Sequence, residues 1–283
     1  MKEMPTEKSS LMLVPSGGLA NRMRAIASAW HLCQRTGARL QMAWFQGWGM
    51  HAAFSDLFEP LEGMREAGWW DYVVNDRPRR HNLWLPWVPQ RLWYGSDSVI
   101  HELQVAGLRD GGFDFDAWLQ DHRRYMSCYD EFGSFPDSCY ARLFRPNEAV
   151  QALIDAYQQH FSDYTIGLHI RRTDSVESIR KSPTHLFLEA ARRELAAHKD
   201  LTIFLATDSE DVKREMRDAL GDRIVTADHE ASRDTVQGIR EGLADMYALA
   251  HTRKIYGSAG SSFSVMASRL GGTTLDILET PQS

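Results

Sequence analysis

From Glu148 onward the sequence alternates short apolar runs with helical patterns, and no other feature narrows the possible folds as far. The runs at 165–170, 201–206, 223–225, 254–256 and 274–278 read as strands. The segments 148–161, 185–198, 208–220, 236–251 and 262–270 read as helices. Strands alternating with helices imply right-handed βαβ units, and therefore an α/β fold with a parallel sheet covered on both faces. Ligands of such sheets sit beyond the carboxyl ends of the strands. The residues at those ends are thus the first candidates for chemistry.

The amino-terminal part opens in the same way. An apolar run at 11–15 is followed by Ser16, Gly17 and Gly18. Met23, Ile26, Ala27 and Trp30 then follow helical spacing until Gly37, and Leu40, Met42 and Trp44 alternate as a second strand. Between Phe45 and Tyr140 the periodicity is poor, and seven of the nine tryptophans fall between Trp48 and Trp118. Pro86, Trp87 and Pro89 argue for irregular connections there. The stretch reads as a loop-rich completion of a first domain, on the acceptor side of the molecule, with its tryptophans more often core than sugar-binding surface. Pro146 interrupts the chain before a new helix, so the expected domains are 1–145 and 146–283. A chain of 283 residues is long enough for both.

A composition of 43% hydrophobic and 25% charged residues is that of a soluble protein, and a net charge of −6 gives no general affinity for nucleic acid or anionic membranes. The first ten residues are polar, and no window offers the roughly 20 apolar residues of a membrane span. A cytoplasmic protein without an integral membrane segment is expected. Cys33, Cys128 and Cys139 show no CxxC spacing, and the eleven histidines form no HExxH pattern. Neither a disulfide framework nor a metal site is expected.

Four segments could carry chemistry. In the strand ending at Arg171, alternation puts Ile166, Leu168 and Ile170 on one face and Gly167, His169 and Arg171 on the other. Arg171 either pairs with Asp174 or Asp208 as structural glue, or clamps a phosphate with its guanidinium fork. Thr207 and Glu210 fit a capping box, which leaves Asp208 at a strand end where a carboxylate can accept two hydrogen bonds from a guanine edge. The small residues from Gly257 to Ser264 are either a cap and turn or an anion cradle at a helix amino terminus. The loop from Ser16 to Arg22 is either a tight turn capped by Asn21, or a place where Asn21 and Arg22 face an interdomain cleft.

Together these segments resemble the fucosyltransferase superfamily, which includes the nodulation, core α-1,6-, α-1,2- and protein O-fucosyltransferases. The matching words are GGLANRMRAIASA at 17–29, GLHIRRTD at 167–174, FLATDS at 204–209 and SAGSSFS at 258–264. They occur in the family's order, and HxRRTD is the most specific. The resemblance covers roughly residues 10–45 and 146–270 and leaves the tryptophan-rich middle unmatched.

The resemblance implies a GT-B fold, two Rossmann-like domains facing a cleft, with GDP-fucose held in the carboxyl-terminal domain. It also implies inversion at the anomeric carbon with neither metal nor further cofactor, and a glycan or other hydroxyl-bearing acceptor. On it, Arg171 binds the β-phosphate, and His169 and Asp208 contact guanine. Ser261, Ser262 and Phe263 form the turn that meets the pyrophosphate, and Gly18, Asn21 and Arg22 lie at the transferred sugar, with Asn21 among the catalytic candidates. The sequence departs from the core-fucosyltransferase pattern after Asp174, since Glu177 falls two residues earlier than the family's carboxylate. Asp174 and Glu177 are both candidate bases. Asp174, beside Arg171 and Arg172, should be the weaker proton acceptor, and Glu177, on a loop farther from those charges, the stronger. Another GDP-sugar, or a nucleotide- or carbohydrate-binding module without turnover, stands as the alternative.

Overall fold

The computed structural model describes residues 9–47, 49–77, 87–173, 176–227, 232 and 234–280. The chain divides at the bond between Arg145 and Pro146 into two compact units. In the first, the elements are β1 (Ser10–Pro15), α1 (Leu19–Thr36), β2 (Arg39–Trp44), β3 (Met64–Glu66), α2 (Asp71–Val74) and α3 (Trp87–Tyr94). They continue with β4 (Val99–Ile100), α4 (Glu102–Asp110), α5 (Phe115–Leu119), β5 (Arg123–Cys128) and α6 (Ser138–Leu143). The strands form one parallel sheet in the order β3-β2-β1-β5-β4.

The middle of this unit is more regular than its sequence suggests. β5 pairs with β1 along its whole length, from Ser10 opposite Arg123 to Pro15 opposite Cys128. Its pattern is hidden by Arg124, a buried arginine whose Nε donates to the Trp118 carbonyl (2.5 Å) and whose Nη1 donates to the Ser98 hydroxyl (2.7 Å). Trp87 and Pro89, expected in an irregular connection, lie in α3. Pro89 falls in its first turn, where a missing N–H costs the helix nothing. Pro86 lies outside the described residues. Trp44 and Trp118 are core residues, whereas Trp69, Trp70 and Trp93 are exposed.

The second unit contains α7 (Glu148–Gln158), β6 (Thr165–Ile170), α8 (Val176–Lys181), α9 (Thr184–Ala197), β7 (Thr202–Thr207) and α10 (Glu210–Leu220). β8 (Ile224–Thr226), α11 (Val236–Ala250), β9 (Lys254–Ser258), α12 (Ser262–Gly271) and β10 (Thr274–Leu278) complete it. Its parallel sheet has the order β10-β9-β6-β7-β8. Every residue of β6 is buried, as suits the middle strand of a sheet covered on both faces. Ile166, Leu168 and Ile170 pack with Phe187, Ala190 and Ala191 of α9 and with Val212 and Met216 of α10. Each of the larger side chains among them contributes about 1.5–3 kcal/mol when fully buried. Asn147 caps α7 by accepting from the Val150 amide (3.0 Å), so the helix starts directly after Pro146.

All three cysteines are buried free thiols. No described helix is long and apolar enough to cross a membrane.

Candidate functional site

In the second unit the chain runs outward from β6 to β7 and β8, then returns to the other side of β6 for β9 and β10. The strand order therefore reverses between β6 and β9, and the crevice beyond their carboxyl ends is where an open α/β sheet accommodates a ligand. The residues leaving β6 are His169, Ile170 and Arg171; those leaving β9 run from Ser258 to Ser261.

Hydrogen bonds fix this crevice in place. The hydroxyl of Ser258, fully buried, donates to the His169 carbonyl (3.2 Å) and accepts from the Arg171 amide (3.1 Å), stitching β9 to the end of β6. On the opposite side Asp208 accepts from the Arg172 amide through Oδ1 (2.7 Å), and from the Thr173 amide (3.2 Å) and hydroxyl (2.7 Å) through Oδ2. The main chain on both sides of Arg171 is thus held, and its side chain is half-buried.

The neighbouring arginine has a different task. Arg172 donates through Nη1 to the Arg171 carbonyl (2.8 Å), and through Nη2 to the Ser182 carbonyl (2.8 Å) and the Thr184 hydroxyl (3.1 Å). Burial, the largest influence, lowers its pKa from the usual arginine range.

The loop after β9 turns at Gly260, whose φ of 68° is a left-handed conformation that favours glycine. Ser261, also buried, caps α12 by accepting from the Phe263 amide (3.4 Å). Ser262 begins the helix, and the Phe263 ring stacks on the His169 imidazole at 4.8 Å and 22°. The amino terminus of a ten-residue helix, with its positive dipole end, thus lies beside the end of β6.

α8 is the element that sequence periodicity does not reveal, because it is short and polar. Its Ser178 hydroxyl donates to the Ala259 carbonyl (2.6 Å), and the Ser182 hydroxyl just beyond it accepts from the Ala259 amide (2.8 Å). Glu177 therefore sits on a helix pinned to the turn after β9, close enough that a Cβ on Gly260 would lie 3.3 Å from its Oε2. The expectation of a loop glutamate is corrected, since Glu177 lies in α8, where Lys181 approaches its carboxylate to 2.6 Å. That hydrogen bond, foremost, lowers the Glu177 pKa. Asp174, the other candidate base, lies outside the described residues.

Asp208 also differs from expectation. The capping box of Thr207 and Glu210 does not form, because β7 continues to Thr207 and Ser209 caps α10 by accepting from the Val212 amide (3.4 Å). The Asp208 carboxylate accepts the amide and hydroxyl bonds described above. His169, Arg171, Asp208, Ser261, Ser262, Phe263 and Glu177 are all brought to this one edge. Of the residues that position them, Arg172 and Ser258 fall within the matching words, whereas Ser178 and Ser182 carry no signal in the sequence beyond being polar.

In the first unit the corresponding loop follows β1. It turns at Gly17, with φ of 78°, and Gly18, not Asn21, is the cap of α1. Asn21 lies one turn inside, where Oδ1 accepts from Arg24 (2.8 Å). Arg22 is 1% exposed. Its guanidinium donates to the carbonyls of Gly17 (2.9 Å), Phe45 (2.8 Å) and Gly47 (3.4 Å) and lies 4.5 Å from the Trp44 ring centroid. Burial pulls its pKa below the ordinary arginine range.

Around this loop the charges pair. Glu102 accepts from the Ser16 hydroxyl (2.5 Å) and from Arg77 (2.5 Å), while Asp130 is flanked by Arg24 (3.1 Å) and Arg109 (2.9 Å). Among the described residues there is no group of three or more histidine, cysteine, aspartate or glutamate side chains placed to hold a metal ion.

No protein-family model matches the sequence, and no curated protein matches it. Solved structures do match its fold. A crystal of the NodZ α-1,6-fucosyltransferase soaked with GDP-fucose aligns at a TM-score of 0.62 and 20% identity over 93% of both chains. An Arabidopsis thaliana FUT1 variant in complex with GDP aligns at 0.63 and 15% identity, covering 99% of this chain and 72% of that one. POFUT1 in its apo form aligns at 0.61 and 12% identity, over 98% and 99%. The chain has the fold of these fucosyltransferases.

Proposed function

We propose that this chain is a glycosyltransferase of GT-B type that moves fucose from GDP-fucose to a hydroxyl of a carbohydrate acceptor, inverting the anomeric carbon and needing no metal. The observation that carries this reading is the pairing of Arg171 with the α12 amino terminus at the strand-order reversal of the second unit. That pairing sits on a fold whose solved examples include NodZ with GDP-fucose and a FUT1 variant with GDP.

In this reading the second unit holds the donor. The amino terminus of α12, where Ser262 begins the helix, and the helix dipole receive the pyrophosphate, as helix amino termini do for anions. Arg171 takes the β-phosphate. The stacked His169 and Phe263 border the nucleoside, and Oδ1 of Asp208, which accepts one amide bond, keeps acceptor capacity for the guanine edge. On the first unit Gly18 and Asn21 are the candidate sugar contacts, and Arg22 is the positioning residue that holds their loop.

The acceptor oxygen forms a bond to the anomeric carbon as the bond from that carbon to the β-phosphate oxygen breaks, and the electron pair leaves with GDP. Negative charge grows on the β-phosphate, where a preorganised guanidinium and helix amides stabilise it most. The acceptor proton passes to a carboxylate, Glu177 or Asp174. A base with a lowered pKa, as Glu177 has beside Lys181, suits a late proton transfer, after the departing bond has largely broken.

The test is direct. With GDP-fucose and a panel of saccharide acceptors, GDP release and fucosylated product should appear together and persist in EDTA. Product formed from GDP-mannose but not GDP-fucose would reassign the donor, and release abolished by EDTA and restored by manganese would overturn metal independence.

A further inference from the structure

The first unit exposes aromatic surface just past the carboxyl end of β3, on a segment neither the fold nor the donor site uses. Trp69 is 77% exposed, Trp70 54% and Tyr72 48%. Exposed tryptophans scattered singly need no explanation, but these adjoin: the two indoles lie 5.5 Å apart, tilted by 36°. They also sit on a segment that is firmly built. Asp71, with a side chain only 4% exposed, accepts from both terminal nitrogens of Arg65 (2.5 Å each), from the Gly68 amide (2.8 Å) and from Asn75 (2.8 Å). Four hydrogen bonds on one carboxylate hold the Gly68–Asp71 turn, and so fix the indoles' backbone before any ligand arrives.

The platform is continuous with the loop after β1. Tyr72 meets Phe45 edge to face at 5.0 Å, and the Phe45 carbonyl is the one bound by Arg22. Its surroundings are polar: Arg65 is half-exposed, and its guanidinium retains N–H groups beyond the two that Asp71 takes. Flat aromatic faces bordered by fixed hydrogen-bond donors match a pyranose ring, which offers a C–H face and a rim of hydroxyls. A lipid surface or an apolar helix would call for aliphatic neighbours where this platform has charged ones.

We propose that Trp69, Trp70 and Tyr72 form a saccharide-binding platform that receives a neutral sugar ring of the acceptor, with Arg65 donating to its hydroxyls. This rests on the transferase reading above, and places the acceptor on the first unit.

The experiment measures binding without donor, so that it is independent of transfer. The full chain is titrated calorimetrically with neutral gluco-, manno-, xylo- and N-acetylglucosamine oligosaccharides. At least one series should bind at millimolar concentration or below. Trp69→Ala/Trp70→Ala should weaken it by on the order of tenfold, while Trp69→Phe/Trp70→Phe, which keeps aromatic faces and guards against a folding artefact, should retain most of the affinity. GDP affinity and the melting curve should be unchanged in both variants. Binding of no oligosaccharide, or equal binding by the alanine variant, would overturn the proposal. So would loss in that variant of binding to phosphatidylcholine vesicles in place of sugars. If sugar binding needs the tryptophans but GDP-fucose yields no product, the platform stands and the transferase reading fails. If product forms with an unchanged acceptor KM in the alanine variant, the reverse holds.

Discussion

Both sheets are built around their first strand, in the orders 3-2-1-5-4 and, counting afresh in the second unit, 3-2-1-4-5. Both send a glycine-turned loop out of the sheet where the order reverses. They differ in how those edges are held. Beyond β1 the carboxylates are answered by arginines, Glu102 by Arg77 and Asp130 by Arg24 and Arg109, while buried Arg22 is held by carbonyls. Beyond β6 the groups that hold the main chain are mostly dipoles, with Asp208 bound by amides and a hydroxyl, Arg172 by carbonyls and a hydroxyl, and the Arg171 amide by Ser258, while Glu177 and Lys181 form an ion pair. Pairing of opposite charges flattens the local field, whereas dipolar fixing preserves it. The first edge is therefore suited to a neutral, hydroxyl-bearing ligand and the second to a phosphate.

The sharpest way to break this contrast is Arg171→Ala. It should lower transfer by on the order of 10²-fold or more with the fold intact, because the contact strengthens as GDP departs. Near-normal turnover of a folded variant would make Arg171 structural. Arg171→Lys should recover only part of the loss, since an ammonium lacks the planar fork.

Arg22→Met tests the other edge. It strands the carbonyls of Gly17 and Phe45 and should cost about 2–3 kcal/mol in urea unfolding, with GDP affinity little changed. Full stability with weakened donor binding would show that Arg22 contacts the donor directly.

Asp208→Ala should weaken GDP by on the order of tenfold or more and inorganic pyrophosphate less, since it removes the proposed guanine acceptor and also frees the Arg172 and Thr173 amides that hold the Arg171 loop. Equal loss for both ligands would confine its role to the phosphate side or to folding.

The smallest effect concerns proton transfer. Glu177→Gln should lower transfer with donor affinity unchanged. The Lys181 hydrogen bond lowers the Glu177 pKa, so the carboxylate stays ionised to more acidic pH than an ordinary glutamate. Activity that needs the ionised form is lost as pH falls through that lowered pKa. Removing the partner in Lys181→Met should shift the acid limb of the pH–rate profile upward. An unmoved limb would leave the base to Asp174.

What the sequence disclosed followed from how regularly burial is patterned. β6 alternates large apolar residues with small or polar ones in sequence, although all six are buried, so the placement of His169 and Arg171 at a strand end was legible from period two alone. β5 was not legible, because Arg123 and Arg124 open it and the second is buried against Trp118 and Ser98, contacts no local pattern can announce. α8 has six residues, too few for an amphipathic period, yet it determines where Glu177 lies. The helix caps slipped for a related reason. Residues such as Asn21 and Thr207 have the right chemistry, but strand length and turn geometry gave the capping positions to Gly18 and Ser209.

The central claim, that the carboxyl edge of the second unit is a guanine-nucleotide diphosphate site, is most directly tested by thermal denaturation with GDP, GDP-fucose, UDP and ADP. A ligand held only by the folded state adds about 2.7 kcal/mol of stability at a hundred times its Kd. The account predicts a raised melting temperature with GDP and GDP-fucose, much smaller shifts with UDP and ADP, and loss of the GDP shift in Arg171→Ala. Equal shifts with all four nucleotides, or none with GDP, would contradict it.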